Sequence, residues 1–169
     1  MMQSGTIIAG IPIPSTAPWL LGTVAVHVAA GIVATAAGAT AMLSPKAPGR
    51  HPLAGTTYFW ALVMANVTMS ALAIAQWPAD NHLAVLGFVS LVSATLGRAA
   101  RRAGRPGWQP RHIVLMGMSY VLMLTAFSVD NGPHLPLWDR LPSVAYWLLP
   151  SVVGVPIIAK AVQRRLTSS

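Results

Sequence analysis

Hydrophobic residues come in five long runs along the chain, separated by short polar segments. A helix needs about 20 predominantly apolar residues to cross a bilayer, and the runs are close to that length. They cover residues 18–43, 53–75, 82–97, 112–129 and 141–163. The third run is short, and the long side chains of Arg98 and Arg101 extend it by snorkelling to the membrane surface. The pattern predicts an all-α polytopic membrane helix bundle with five transmembrane helices.

The segments outside these runs are predicted to be tails and loops. Residues 1–17 contain Pro12 and Pro14 and no Lys or Arg, so we expect a short outer tail on the membrane surface and no secretory signal. Residues 130–140 form an outer loop, and residues 164–169 form a cytoplasmic tail. Pro150 and Pro156 lie inside the fifth run and predict a kinked helix there.

The composition supports the same class of protein. Hydrophobic residues make up 54% of the chain and charged residues only 8%, against about 25% charged in a soluble domain. The mean hydropathy is +0.61. There is no cysteine, which excludes disulfides, thiolate-bound iron–sulfur clusters and cysteine zinc sites.

The charges sort by side of the predicted membrane. Ten of the eleven Lys and Arg residues fall on one side, and Arg140 is the exception. The acids Asp80, Asp130 and Asp139 fall on the other side. The positive-inside rule therefore predicts an outer N-terminus and a cytoplasmic C-terminus. The net charge of +8 is assigned to membrane topology and lipid headgroups rather than to nucleic acid.

A weak internal repeat relates the first two spans to the next two. Each half reads as a histidine, an apolar helix, a basic turn with an Arg-His pair, and a helix with a tyrosine. The members are His27, Arg50-His51 and Tyr58 in one half, and His82, Arg111-His112 and Tyr120 in the other. The repeat predicts two parallel hairpins that form a four-helix core, with the fifth span appended.

Histidines in or near the spans are the leading candidates for a functional site. Helix rise places His27 and His82 at similar depth in the outer leaflet, and His51 and His112 at the cytoplasmic boundary. Paired histidines on facing helices of a bundle can ligate b-type haem. We therefore predict an outer haem on His27 and His82 and an inner haem on His51 and His112, with Tyr58 and Tyr120 beside them. Two haems across a membrane predict transmembrane electron transfer.

Other functions remain open. Methionines near the histidines are soft ligands for Cu(I), and Met116 shares a helix face with His112. The methionines concerned are Met64, Met69, Met116, Met118 and Met123. A cofactor-free accessory or scaffold subunit is the alternative of a different class, with a membrane protein partner or a homodimer. A small protein that binds a lipophilic molecule is a third. No nucleophile–base arrangement or phosphate loop indicates an enzyme, so enzymatic activity stays open.

Three motifs carry a family resemblance. They are His27-x3-Gly31 followed by Gly38, His51-x3-Gly55-x2-Tyr58, and His112-x3-Met116-x3-Tyr120. In order and spacing the sequence resembles an uncharacterised bacterial membrane-protein family, domain of unknown function 2306, over roughly residues 24–128. The resemblance implies a helix bundle and points to His27, His51 and His112.

The chain departs from the family pattern at three places. The family commonly has arginine directly after the histidines of the second and fourth spans, where this chain has Pro52 and Ile113. It also tends to have arginine near the position of Met118. If those arginines bind an anionic group, this chain binds that group differently or not at all.

Overall fold

The computed structural model describes residues 6–8, 11–13, 17–75, 80–136 and 138–167. This part of the chain contains five α-helices, all long and apolar enough to cross a membrane. They are α1 (Pro18–Leu43), α2 (Arg50–Ala75), α3 (Asn81–Ala103), α4 (Trp108–Asn131) and α5 (Ser143–Leu166). Two 3-10 helices, Gly132–His134 and Trp138–Arg140, lie between α4 and α5. The five predicted transmembrane helices are confirmed.

Two short strands precede α1 and were not predicted. Strand β1 (Thr6–Ile8) pairs antiparallel with β2 (Ile11–Ile13), and Ile8 lies opposite Ile11. The sequence analysis treats this segment as an irregular tail because two prolines disfavour a helix. A three-residue strand gives too little periodicity to be recognised in the sequence.

The third helix is longer than its apolar run. It continues for six residues past Gly97 and ends at Ala103, so Arg98, Arg101 and Arg102 are helical. Arginine is a good helix former and keeps its charged end in water while its stem covers apolar surface. Gly104, at φ +60°, follows the helix end in the left-handed conformation that glycine adopts most readily.

The chain divides into two compact units. The first contains residues 1–81 and 134–139, and the second contains residues 82–133 and 140–169. In the first unit α1 packs against α2. The buried positions of α1 after the first turn are small, so the two helices approach closely there. They are Ala30, Ala34 and Gly38.

In the second unit, α3 and α4 are joined through buried serines. Ser90 and Ser119 are both fully buried, and the Ser90 hydroxyl donates a hydrogen bond of 2.8 Å to the Ser119 carbonyl. Without water to satisfy it, a buried hydroxyl in a bilayer needs such a partner. Small side chains also permit the close approach that makes the bond possible.

Glycines set the packing of α4 against α5. A Cβ on Gly154 would lie 2.3 Å from Val121 Cγ2, and one on Gly117 would lie 2.5 Å from Ile158 Cγ1. Each helix thus packs a glycine against a branched side chain of the other helix. On both helices the glycine and the branched residue are about one helical turn apart. This reciprocal fit holds the helices antiparallel in one register, and Pro150 and Pro156 lie within α5 on either side of Gly154.

The surface is apolar and much of the buried material is polar, the reverse of a soluble protein. Large side chains such as Ile32, Val67 and Phe88 are more than 60% exposed. Buried hydroxyl groups, such as those of Ser93 and Thr125, donate hydrogen bonds to carbonyls one turn earlier in their own helices. This arrangement places the chain in a lipid bilayer as a multi-pass membrane protein.

Candidate functional site

His27 joins α1 to α2 within the first unit. Its Nδ1 lies 3.1 Å from the carbonyl oxygen of Ala65 and 3.0 Å from Thr68 Oγ1. A carbonyl oxygen only accepts, so Nδ1 carries the proton. The Ala65 carbonyl belongs to the interior of α2, where the helix already supplies it with a partner. The bond to His27 therefore orients the imidazole and is not needed to complete the helix.

His51, in the first turn of α2, lies beside the C-terminal end of α1. It and Lys46 donate to the same backbone carbonyl there. Its Nδ1–H donates to the Ala41 carbonyl at 2.8 Å. Lys46 Nζ donates to the same carbonyl at 2.8 Å and to the Met42 carbonyl at 2.8 Å. The last carbonyls of a helix lack partners within it, so these two side chains cap α1. Partial burial lowers the pKa of Lys46.

His112 occupies the equivalent place in the second unit. Its Nδ1–H donates to the Gly97 carbonyl of α3 at 2.9 Å. Gly97 has no side chain to shield that carbonyl, and a Cβ there would lie 3.1 Å from the sulfur of Met116. The side chains of His112 and Met116 therefore both pack against α3 at Gly97. Because Gly97 is six residues from the helix end, this bond is not required as a cap.

The three histidines share one tautomer in their neutral form. Each donates its Nδ1–H to a backbone carbonyl of the neighbouring helix in its hairpin. In that tautomer the lone pair belongs to Nε2, the nitrogen that commonly coordinates a metal. Metal-ligating histidines almost always donate their other ring N–H to a carbonyl, carboxylate or water. The hydrogen bonds thus fix the orientation of each ring.

The remaining candidates have different surroundings. His82 is exposed at the start of α3, and its ring centroid lies 5.9 Å from that of Trp147. His134 is exposed in a 3-10 helix. Tyr58 is buried in α2, and Tyr120 is half-buried in α4. Their assignment as partners of a haem site stays a prediction.

The histidines are divided between the two units. His27 and His51 belong to the first, and His82 and His112 belong to the second. Within the described ranges, no three or more His, Asp or Glu side chains come together to hold a metal ion. A haem needs only two axial side chains, because the porphyrin supplies the other four ligands. The division into two units neither supports nor contradicts the predicted pairs, His27 with His82 and His51 with His112.

The sequence analysis missed several partners of the candidate residues. Thr68 and Ala65 hold His27, Lys46 shares the His51 carbonyl, and Trp147 lies beside His82. The contacts join positions 5 to 65 residues apart, and a single sequence has no local period that links such positions. Only Lys46 had a recognisable signal, a basic residue just after a helix end.

An apolar groove lies where α1 and α2 meet. It has a volume of about 580 Å³, and its lining includes Val26, Val33, Trp60 and Met64. Its polar lining residues are Thr56 and Thr57. In a bilayer such a surface is suited to hydrocarbon, and it offers no charged group that would orient a polar ligand.

Comparison with known proteins supports the membrane assignment. The model of a family described as predicted membrane protein (DUF2306) matches residues 24–155. This range contains all four candidate histidines and extends past the three motifs into α5. No curated protein and no solved structure matches the chain.

Proposed function

The chain belongs to the DUF2306 family of predicted membrane proteins, and we propose that it is an electron-transfer protein that holds b-type haem through histidine imidazoles. The supporting observation is the shared orientation of His27, His51 and His112. All three direct Nδ1–H to a carbonyl on a neighbouring helix. In this orientation Nε2 would be the atom of each ring that coordinates the iron.

His112 supports the proposal most strongly. Its Nδ1–H donates to a carbonyl in the interior of α3. The helix already supplies that carbonyl with a partner, so the bond does not serve as a helix cap. His51 differs, because it shares the capping of α1 with Lys46 and so has a structural role without a ligand. An oriented ring of this kind would suit ligation of iron through Nε2.

The surroundings suit a low-polarity cofactor. Bound haem would supply reversible one-electron chemistry at a potential set by its axial ligands and by burial. Carbonyl acceptors on Nδ1–H raise the basicity of the coordinating nitrogen, and two neutral imidazoles stabilise ferric iron more than weaker ligands do.

The test is an absorption spectrum of the full chain, expressed with ample haem supply and purified in mild detergent. We expect a Soret band, and sharp α and β bands after reduction with dithionite, with a pyridine haemochrome spectrum of the b type. Apoprotein titrated with haem should regain the same bands. A flat visible spectrum in both preparations would reject the proposal and leave the chain as a cofactor-free packing subunit, to be pursued through co-purifying partners.

We also propose that the C-terminus is cytoplasmic and that the membrane is the inner membrane of a bacterium. The support for the orientation is the charge distribution, since Lys46 and Arg50 flank one turn and five arginines lie at the facing ends of α3 and α4 and between them. Loops rich in Lys and Arg stay on the cytoplasmic side.

Single cysteines test this orientation cleanly, because the chain has none of its own. Ala47→Cys, Ala103→Cys and Pro136→Cys are placed at exposed positions between helices or at a helix end. In intact cells a membrane-impermeant maleimide should label Pro136→Cys and leave the other two unlabelled until the cells are opened. Labelling in the opposite pattern would reverse the topology.

A further inference from the structure

The second unit gathers arginines from three helices at one end. Arg111 lies in the first turn of α4, six residues before Gly117. Arg164 lies six residues after Ile158 on α5, which runs antiparallel to α4 and packs Ile158 against Gly117. The Gly97–His112 bond brings the C-terminal part of α3 to this same end of α4. The resulting arginine cluster consists of Arg98, Arg101, Arg102, Arg105, Arg111, Arg164 and Arg165.

The cluster carries charge of one sign. Residues 98–111 and 160–167 include no Asp or Glu. The one acid in this unit, Asp130, is 19 residues along α4 from Arg111, roughly 28 Å at the rise of an α-helix. Every member except the half-buried Arg98 is exposed. Such a surface attracts anions, because an anion beside it offsets the repulsion between the like charges.

The chemistry of the cluster favours phosphate. Guanidinium groups form bidentate hydrogen bonds with phosphate oxygens, whereas ammonium groups act as single point charges. The cluster also sits where three apolar helices end, and Leu96 and Leu166 beside it are more than half exposed. Trp108, at the start of α4, is of the type that settles at the membrane interface. The phosphates of lipid headgroups lie at this depth, the membrane interface.

We propose that the arginine cluster is a binding site for the phosphodiester headgroups of anionic phospholipids, which form a lipid shell around this end of the second unit. The site binds several headgroups at once through α3, α4 and α5. This proposal does not depend on haem binding, because none of the clustered arginines is a candidate haem ligand.

The test measures which lipids the protein retains. The full chain is reconstituted in an equimolar mixture of phosphatidylglycerol and phosphatidylcholine and re-extracted in mild detergent, and the retained lipids are quantified by mass spectrometry. We expect enrichment of phosphatidylglycerol by about fivefold or more, the factor that corresponds to the attraction of a single basic residue to an anionic surface. Raising the salt concentration should reduce the enrichment.

A matched pair of variants localises the effect. Arg101→Gln, Arg102→Gln and Arg105→Gln combined should bring the retained ratio close to that of the starting mixture. Arg140→Gln, which removes the exposed arginine beyond the other end of α4, should leave the enrichment intact. If the triple variant does not fold, the salt dependence of the unmodified chain still decides.

Three results would overturn the proposal. They are a retained ratio equal to the starting mixture, an enrichment that is unchanged in the folded triple variant, and an enrichment lost equally in Arg140→Gln. An RNA oligonucleotide shifted by the unmodified chain, without lipid enrichment, would assign the cluster to nucleic acid instead. Competition by millimolar inorganic phosphate, without any lipid enrichment, would assign it to a free anion.

Discussion

Replacing Gly154 with alanine is expected to destabilise the protein by about 1–3 kcal/mol, the usual cost of overfilling a packed interior. The new Cβ would lie 2.3 Å from Val121 Cγ2, well inside contact distance. Valine has one strongly preferred rotamer in a helix, so it cannot turn away cheaply. Leucine at this position is expected to separate α4 from α5. Unfolding by heat or by SDS in mixed micelles measures the loss.

The prediction has two controls within the chain. Gly22 lies in α1 with no atom within 4 Å of an added Cβ, so Gly22→Ala should be neutral or slightly stabilising. Combining Gly154→Ala with Val121→Ala removes the colliding methyl group, and the double variant should recover part of the stability. A Gly154→Ala protein as stable as Gly22→Ala would show that α4 and α5 do not pack in this register.

Replacing His112 with asparagine is expected to abolish axial ligation while the fold is kept. The asparagine amide nitrogen takes the place of Nδ1, so it can still donate to the Gly97 carbonyl. It has no counterpart of Nε2, the coordinating atom. We expect the reduced α band of the affected haem to be lost, while the apoprotein melts within a few degrees of the unmodified chain. Added imidazole should restore the band.

Further variants separate ligation from hydrogen bonding. His112→Leu loses both functions and should reduce stability as well as haem content, since the interhelical bond is lost. His134→Asn alters an exposed histidine in a 3-10 helix and should change neither. Full haem content in His112→Asn and in His51→Asn would remove both residues from the ligand set. Haem that is lost only from His112→Leu would indicate a structural role.

The contrast between His51 and His112 shows why equal positions in a repeat need not have equal roles. Both follow an arginine, and both lie near the start of the second helix of a helical hairpin. The turn before His51 holds Lys46, which completes the end of α1 together with it. The loop before His112 lets α3 run on to Ala103, so the histidine meets a carbonyl inside the helix. The length of the connection decides which carbonyl each ring reaches.

The sequence alone determined the features that depend on hydropathy and local charge. Five apolar runs predicted the five helices, because each span must bury its own backbone polar groups in lipid. The first apolar run begins at residue 18, and α1 begins at that same residue, a proline, whose missing N–H costs nothing at a helix start. The H…RH…Y pattern directed attention to four histidines. The structure places the rings of His27, His51 and His112 against a carbonyl of a neighbouring helix, whereas His82 is exposed beside Trp147.

Only the tertiary structure decided how those helices meet. The register of α4 and α5 depends on Gly117 and Gly154 receiving branched side chains from the opposite helix. Glycine is compatible with many positions in a membrane helix, so its presence predicts no partner. The tautomer of each histidine likewise follows from a carbonyl 10 to 38 residues away. Such contacts depend on the shape and distance of two surfaces, whereas hydropathy and periodicity describe one segment at a time.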